Sequence, residues 1–169
     1  MAPPSGTELR DSLDRLAIQD LINRYSDAVT RADWRQCEVL FAVDAIWETP
    51  AGLRFDSARS FIDFLTPTTS YDVLIQTPHS SVITLIDADQ ASATTTVHEL
   101  TRGVGLADST FGAAGTEINL EQYGVYYDDF ARIEGEWKFS RREFVPIYIG
   151  PGQVTGHVFT PRSDLVRRS

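Results

Sequence analysis

The sequence has a single cysteine, a shortage of basic residues and no long apolar run, and each of these excludes a class of protein. Cys37 alone can form neither an intramolecular disulfide nor a cysteine-based zinc site, so packing must stabilise the fold. Asp and Glu number 24 against 15 Lys and Arg, and the formal charge of -9 disfavours nucleic acid as a partner. No stretch approaches the ~18 consecutive apolar residues of a membrane span, and the N-terminus lacks a signal-peptide pattern. We therefore expect a cytoplasmic protein that binds neither nucleic acid nor membrane.

Apolar residues, by contrast, are plentiful. They make up 42% of the 169 residues, enough for the core of one compact domain. We expect a flexible N-terminus over residues 1–7, a folded domain over 8–146 and a C-terminal extension over 147–169. The scattered histidines and carboxylates show no ligand spacing, so no metal site is expected.

Helical signals fill the first part of the chain. Apolar residues at three- and four-residue spacing from Leu13 to Ala32 predict a long amphipathic helix that begins near Glu8. Asp33 is a suitable N-cap for a short second helix that extends to Phe41. Residues 45–55 predict a small hairpin, and a third helix follows before Pro67.

Strand signals fill the remainder. Segments 80–86, 91–100, 117–130 and 137–145 are rich in β-branched and aromatic residues and predict four long antiparallel strands. The glycine-rich segment 103–115 predicts a long hairpin loop. Helices followed by strands indicate an α+β fold, in which a curved, mixed or antiparallel sheet packs on three N-terminal helices as a cone-shaped barrel around a pocket.

Several short motifs carry a family resemblance. They are Leu16-Ala17-Ile18-Gln19-Asp20-Leu21, Tyr25-Ser26-Asp27-Ala28, Phe41-x-x-Asp44-Ala45-x-Trp47 and Gly135-x-Trp137-Lys138-Phe139. In order and spacing they resemble SnoaL-like proteins of the nuclear-transport-factor-like superfamily, over roughly residues 9–145. The chain looks nearest to the branch that contains scytalone dehydratase and hexachlorocyclohexane dehydrochlorinase. The resemblance implies that no metal or organic cofactor is used and that the protein forms a homotrimer.

The resemblance also implies a catalytic site. In that branch a histidine on the strand after the third helix is the general base, and an aspartate at the end of the first helix holds it. His79 falls at the histidine's position, whereas Thr30 occupies the aspartate's. The dehydrochlorinase's arginine corresponds to Arg142, and its helix-one lysine to Tyr25. Asp27, one turn before Thr30, or Glu48 on a nearby strand could orient His79 instead.

Each of these residues also has an ordinary structural interpretation. His79 could be a strand-edge histidine that bonds to backbone, and Asp27 could face solvent. Arg142 could pair with an acid such as Asp128 or Glu143. His98 could line the pocket or be a satisfied interior or interface histidine. The aromatic residues Tyr25, Trp47, Phe61 and Tyr126 could be pocket walls or plain core.

These residues lead to one favoured function and two alternatives. The favoured function is a cofactor-independent lyase or isomerase acting on a small, apolar, oxygenated ring compound, with His79 abstracting a proton. Tyr25 and Tyr126 would donate to the developing oxyanion and Arg142 would steady negative charge. The expected substrate contacts are Thr30, Trp47, Glu48, Phe61, His98 and Tyr126. The alternatives are a non-catalytic small-molecule-binding protein, which Thr30 favours, and an assembly subunit like the small subunit of ring-hydroxylating dioxygenases.

Overall fold

The computed structural model describes residues 4–67, 69–106 and 113–158. The helices are α1 (Gly6–Thr30), α2 (Trp34–Val39) and α3 (Ala58–Leu65), and the strands are β1 (Phe41–Glu48), β2 (Arg54–Phe55), β3 (Thr69–Leu85), β4 (Gln90–Gly105), β5 (Glu117–Ile133) and β6 (Glu136–Pro151). Within these ranges no helix is both long enough and apolar enough to cross a membrane. The first three residues, the centre of the expected 103–115 loop and the chain after residue 158 lie outside the described residues.

Helix α1 is fixed at its start by a capping box and along its length by an apolar face. The Ser5 hydroxyl accepts the Glu8 backbone N–H at 3.2 Å, and the Glu8 carboxylate accepts the Ser5 N–H at 2.7 Å. The helix therefore begins at Gly6, slightly before the expected start. The residues it buries against the sheet are Ile18, Leu21, Ile22, Tyr25, Ser26, Ala28 and Val29.

In the described residues the strands form a single mixed sheet of order β2-β1-β6-β5-β4-β3. Strand β1 pairs parallel with β6 and antiparallel with β2, and β3 to β6 pair as antiparallel neighbours. Register shifts between Pro78 and Ser81 and between Tyr123 and Gly124 mark bulges, which bend strands and increase their twist. The predicted fold class, a curved sheet packed on three helices as an α+β cone, is confirmed.

Several element boundaries differ from those predicted. Phe41 opens β1 instead of ending the second helix, because Leu40 and Phe41 already meet Phe139 of β6. Strand β3 begins at Thr69, well before Ser80, because its first half pairs with β4 residues up to Gly105. Strand β6 continues to Pro151 against β5, so residues 147–151 belong to the sheet and not to an extension.

Candidate functional site

An open cavity of about 460 Å³ lies between the helices and the concave face of the sheet. Its wall is mainly apolar, and its aromatic residues are Tyr25, Trp34, Trp47, Phe61, Phe64, Tyr71, Tyr126 and Phe144. Polar groups enter mainly from the long strands, with Gln76 on β3, Glu99 on β4 and Gln122 on β5. Among the described lining residues Glu99 is the only acidic side chain, and none is Lys, Arg or His. The cavity has the size and composition of a site for a small apolar ligand.

Gln76 is the hub of the polar network. It is 6% exposed, and its backbone N–H donates at 3.0 Å to the hydroxyl of Thr30, at the end of α1. Its side-chain Nε2 donates to Glu99 Oε2 at 2.9 Å and to the Tyr126 hydroxyl at 3.0 Å. The Ser26 hydroxyl lies 3.3 Å from its Oε1. A single amide, itself fixed from two sides, therefore positions both a carboxylate and a phenol.

Glu99 is held in one orientation by the neighbouring strands. Its Oε1 accepts from Gln122 Nε2 at 2.6 Å and from the Thr101 hydroxyl at 3.2 Å, while its Oε2 accepts from Gln76. A carboxylate oxygen can accept two hydrogen bonds. Among the described residues Oε2 accepts only one, so one acceptor position of Glu99 is left for a ligand.

Tyr25 and Tyr126 form a phenol pair beside this carboxylate. Their rings meet edge to face with centroids 5.9 Å apart. Burial raises the pKa of both phenols, and the positive charge of Arg142 only partly opposes it. Both tyrosines are therefore protonated at neutral pH and act as hydrogen-bond donors.

Arg142 lies beneath the tyrosines and does not line the cavity. It is fully buried, and it donates from Nε and Nη2 to the two carboxylate oxygens of Asp128 at 2.7 and 2.8 Å. Its guanidinium carbon lies 3.9 Å from the Tyr25 ring centroid and 4.1 Å from those of Tyr126 and Phe139. Burial opposes its charge, but the Asp128 carboxylate outweighs burial and raises the pKa of Arg142. Arg142 therefore pairs with an acidic residue, which is the structural alternative that the sequence offered. The pair lies in the protein interior and not at the surface.

The expected position of His79 is wrong. Its side chain is exposed, and its ring lies 6.4 Å from that of His98 and 6.5 Å from that of Tyr123 on the outer face of the sheet. The physical reason is strand alternation: Gln76 points inward opposite Glu99, and an odd separation of three residues turns His79 outward. Gln76, and not His79, therefore projects from β3 into the cavity.

His98 also faces outward and does not line the cavity. Its Nε2 lies 2.9 Å from Glu121 Oε1, and its ring stacks on Tyr123 with centroids 4.2 Å apart. Its neighbour Glu99 consequently faces inward, together with the buried Val97. A carboxylate sharing a face with buried Val97 and Thr95 was the sequence signal that could have revealed Glu99.

Neither proposed orienting carboxylate reaches His79. The Asp27 side chain is 60% exposed and pairs with Arg31 at 2.6 Å. Glu48 lies on β1 and pairs with Arg141 at 2.6 Å. Thr30 binds the backbone of Gln76 and does not line the cavity, whereas Trp47 and Phe61 stack on each other in its wall, with ring centroids 3.9 Å apart.

Cys37 completes one side of the cavity. It is 3% exposed, and burial raises the pKa of its thiol to about 12. A thiol with this pKa stays protonated near neutral pH, so Cys37 is a wall residue and not a nucleophile. Within the described ranges no group of three or more His, Cys, Asp or Glu side chains is arranged to hold a metal ion.

A curved sheet closed by helices around an aromatic cavity defines a class of small-molecule-binding α+β cones, and comparison with known proteins gives the family. A SnoaL-like domain matches residues 10–143, so the chain belongs to the SnoaL-like family, as the motifs indicated. No curated protein sequence matches the chain.

Solved structures agree in fold. A hexachlorocyclohexane dehydrochlorinase of type 2 matches with a TM-score of 0.70 and 20% identity, covering 92% of this chain and 98% of that one. A candidate scytalone dehydratase from Novosphingobium aromaticivorans has a TM-score of 0.70 and 16% identity, with coverages of 91% and 97%. The type 3 dehydrochlorinase from Novosphingobium barchaimii has a TM-score of 0.67 and 20% identity, with coverages of 91% and 99%. At these identities the likeness establishes the fold.

Proposed function

We propose that this protein is a cofactor-independent lyase or isomerase that removes a proton from a small, mostly apolar, oxygenated ring compound held in the cavity. The observation that carries the proposal is the carboxylate of Glu99, fixed by Gln76 and Gln122, with one acceptor position of Oε2 open. A general base must be held within hydrogen-bond reach of the proton it takes, and this arrangement supplies such a base.

The chemistry follows from the positions of Glu99 and Tyr25. Glu99 Oε2 takes the proton from a ring carbon next to a carbonyl, and the electron pair of the C–H bond moves onto the carbonyl oxygen. Tyr25, protonated because burial raises its pKa, donates a hydrogen bond to that developing oxyanion. Return of the proton to another carbon completes an isomerisation, whereas departure of a leaving group from the neighbouring carbon completes an elimination.

Arg142 serves this site as a positioning residue. Its guanidinium lies against the rings of Tyr25 and Tyr126 and is held by Asp128, so it fixes the positions of the two phenols. Trp47 and Phe61 form the flat stacked wall against which a ring compound packs. His79 and Asp27 have no part in this proposal, because both lie outside the cavity.

Exchange of a carbon-bound proton tests the proposal directly. The probe is β-tetralone, a bicyclic ketone with acidic protons next to its carbonyl, incubated with the protein in deuterium oxide and followed by NMR. We expect the wild-type protein to accelerate deuterium incorporation, Glu99→Gln to lose about 100-fold of that rate, and His79→Gln to keep it. No acceleration by the wild type, or loss in His79→Gln alone, would refute the proposal.

A non-catalytic ligand-binding protein is the second candidate. It is favoured by Thr30, which stands where the resemblance expects an aspartate and cannot act as a base, and by His79, whose side chain lies outside the cavity. Binding of β-tetralone without any deuterium exchange would support this candidate over the enzyme.

We also propose that the protein is a homotrimer associated through the outer face of the sheet. This face exposes Val82, Tyr123, Tyr127 and Tyr148, with exposures between 37% and 67%. Apolar patches of this kind on an open sheet face mark association surfaces.

A further inference from the structure

The described residues of the cavity wall carry a negative charge and no positive charge. Glu99 contributes a carboxylate, and no Lys, Arg or His occurs among the described residues that line the cavity. Arg142 does not balance it, because the guanidinium is enclosed behind Tyr25 and Tyr126 and is neutralised by Asp128. Within the part of the chain that the structure describes, a ligand in the cavity therefore meets a negative charge and no positive charge facing it.

The aromatic residues of the wall also favour a positively charged ligand. The faces of Trp, Tyr and Phe rings carry partial negative charge and attract cations within about 6 Å of the ring centre. Tyr71, Trp47 and Tyr126 are among the rings that surround the space into which Glu99 projects. An aromatic enclosure with one carboxylate is the arrangement that holds ammonium groups in water-poor sites.

The open acceptor position of Glu99 Oε2 is where an N–H group of a ligand can bind. Gln76 occupies one acceptor position of Oε2, while Gln122 and Thr101 occupy Oε1. The carboxylate is thus already oriented, and a ligand N–H can reach it without reorganising the site. A charged donor and acceptor form a hydrogen bond about twice as strong as a neutral pair.

From these observations we infer that the cavity is a binding site for small amines on a bicyclic or similar apolar ring, with the protonated nitrogen donating to Glu99 Oε2. The inference rests on the proposed function in one respect: the ammonium N–H occupies the place from which the substrate's C–H is removed. Amines are therefore ligands of this cavity and competitors of its substrate. Carboxylates of the same shape are excluded, since they would bring a second anion beside Glu99.

A matched series of ligands tests the inference. Naphthylmethylamine, naphthylmethanol and naphthoate share a ring and differ in charge, and their dissociation constants are measured by isothermal titration calorimetry at neutral pH. We expect the amine to bind at least about tenfold more tightly than the naphthoate, with the alcohol between them. Equal or tighter binding of the naphthoate, or no binding of the amine at about 1 mM, overturns the inference.

Two matched variants assign the effect to one carboxylate. Glu99→Gln keeps the shape of the side chain and should remove the preference for the amine while the alcohol binds as before. Glu121→Gln makes the same change on the outer face, where Glu121 pairs with His98, and should keep the preference. Retention of the preference in Glu99→Gln overturns the inference, and the wild-type series alone decides if that variant does not fold.

The outcome is separable from that of the proposed function. If the amine binds preferentially but β-tetralone does not exchange its protons, the amine-binding inference holds and the proposed enzymatic function is refuted. If β-tetralone exchanges its protons but the amine does not bind preferentially, the enzymatic function holds and the amine-binding inference is refuted.

Discussion

Gln76 and Glu99 face each other across paired strands β3 and β4, and the amide nitrogen of Gln76 donates to the Glu99 carboxylate at 2.9 Å. The same nitrogen donates to the Tyr126 hydroxyl at 3.0 Å. One side chain, that of Gln76, therefore fixes the distance between the Glu99 carboxylate, which we propose as the base, and the Tyr126 hydroxyl beside it. Precise placement of this kind is what a proton-transfer site requires.

Removing this link should loosen the site and the fold. Gln76→Leu leaves Glu99 and Tyr126 without their shared donor, and unsatisfied buried groups cost about 1–3 kcal/mol of the free energy of unfolding. Urea unfolding followed by circular dichroism measures this loss. Thr77→Val, on the exposed neighbour, is the control and should change stability by less than about 0.5 kcal/mol. Equal effects of the two changes would show that Gln76 is not a structural hub.

The buried ion pair should respond to neutralisation far more strongly than a surface pair. Asp128→Asn leaves the buried charge of Arg142 without a counter-ion, and breaking such a pair costs about 3–5 kcal/mol. Asp27→Asn breaks the exposed i,i+4 pair with Arg31 and should cost no more than about 0.5 kcal/mol. Chemical denaturation of both variants at neutral pH gives the comparison. Similar losses would contradict the assigned burial of Arg142.

Cys37 should be unreactive in the folded protein. Its pKa of about 12 leaves little thiolate at about pH 8, whereas an unfolded cysteine with a pKa of about 8.5 is substantially ionised. Raising the pH towards 12 should therefore increase its reactivity until the thiol ionises or the protein unfolds. Mass spectrometry after iodoacetamide treatment should show alkylation about 1000-fold slower in buffer than in concentrated urea. Comparable rates in the two solutions would show that the thiol is not enclosed as described.

Charge placed on the outer sheet face should dissociate the proposed trimer. Val82 is 67% exposed on this face, so Val82→Glu introduces a charge that must be desolvated on association. Leu16→Glu alters a residue of α1 that is 66% exposed and serves as the control. Sedimentation equilibrium should give a trimer for the wild type and for Leu16→Glu, and a monomer for Val82→Glu. A monomeric wild type would remove the trimer proposal.

Much of the fold follows from local patterns in the sequence. The apolar spacing of α1 and the β-branched runs of the long strands are properties of short segments, and both elements form where those patterns occur. Local patterns do not predict the first half of β3 or the end of β6, because pairing with a neighbouring strand creates them and pairing is not a local property.

The sequence predicts the aromatic residues of the cavity wall but not its polar residues Gln76, Glu99 and Gln122. Tyr25, Trp47, Phe61 and Tyr126 lie in the cavity wall because bulky apolar faces turn towards the core. Which polar residue of β3 enters the cavity depends on the pairing of Gln76 with Glu99, and a shift by one residue exchanges the two faces. The chemistry of imidazole and its approximate position favour His79, but the strand register turns its side chain outward.

The proton-accepting role of Glu99 can be measured most directly with nitrobenzisoxazole, a bicyclic compound that opens to a coloured phenolate when a base removes its ring C–H proton. Its elimination rate is followed by absorbance in wild type, Glu99→Gln and His79→Gln. The account predicts acceleration over buffer by the wild type and by His79→Gln, and a rate about 100-fold lower for Glu99→Gln. Full activity of Glu99→Gln, or loss of activity in His79→Gln alone, would contradict it.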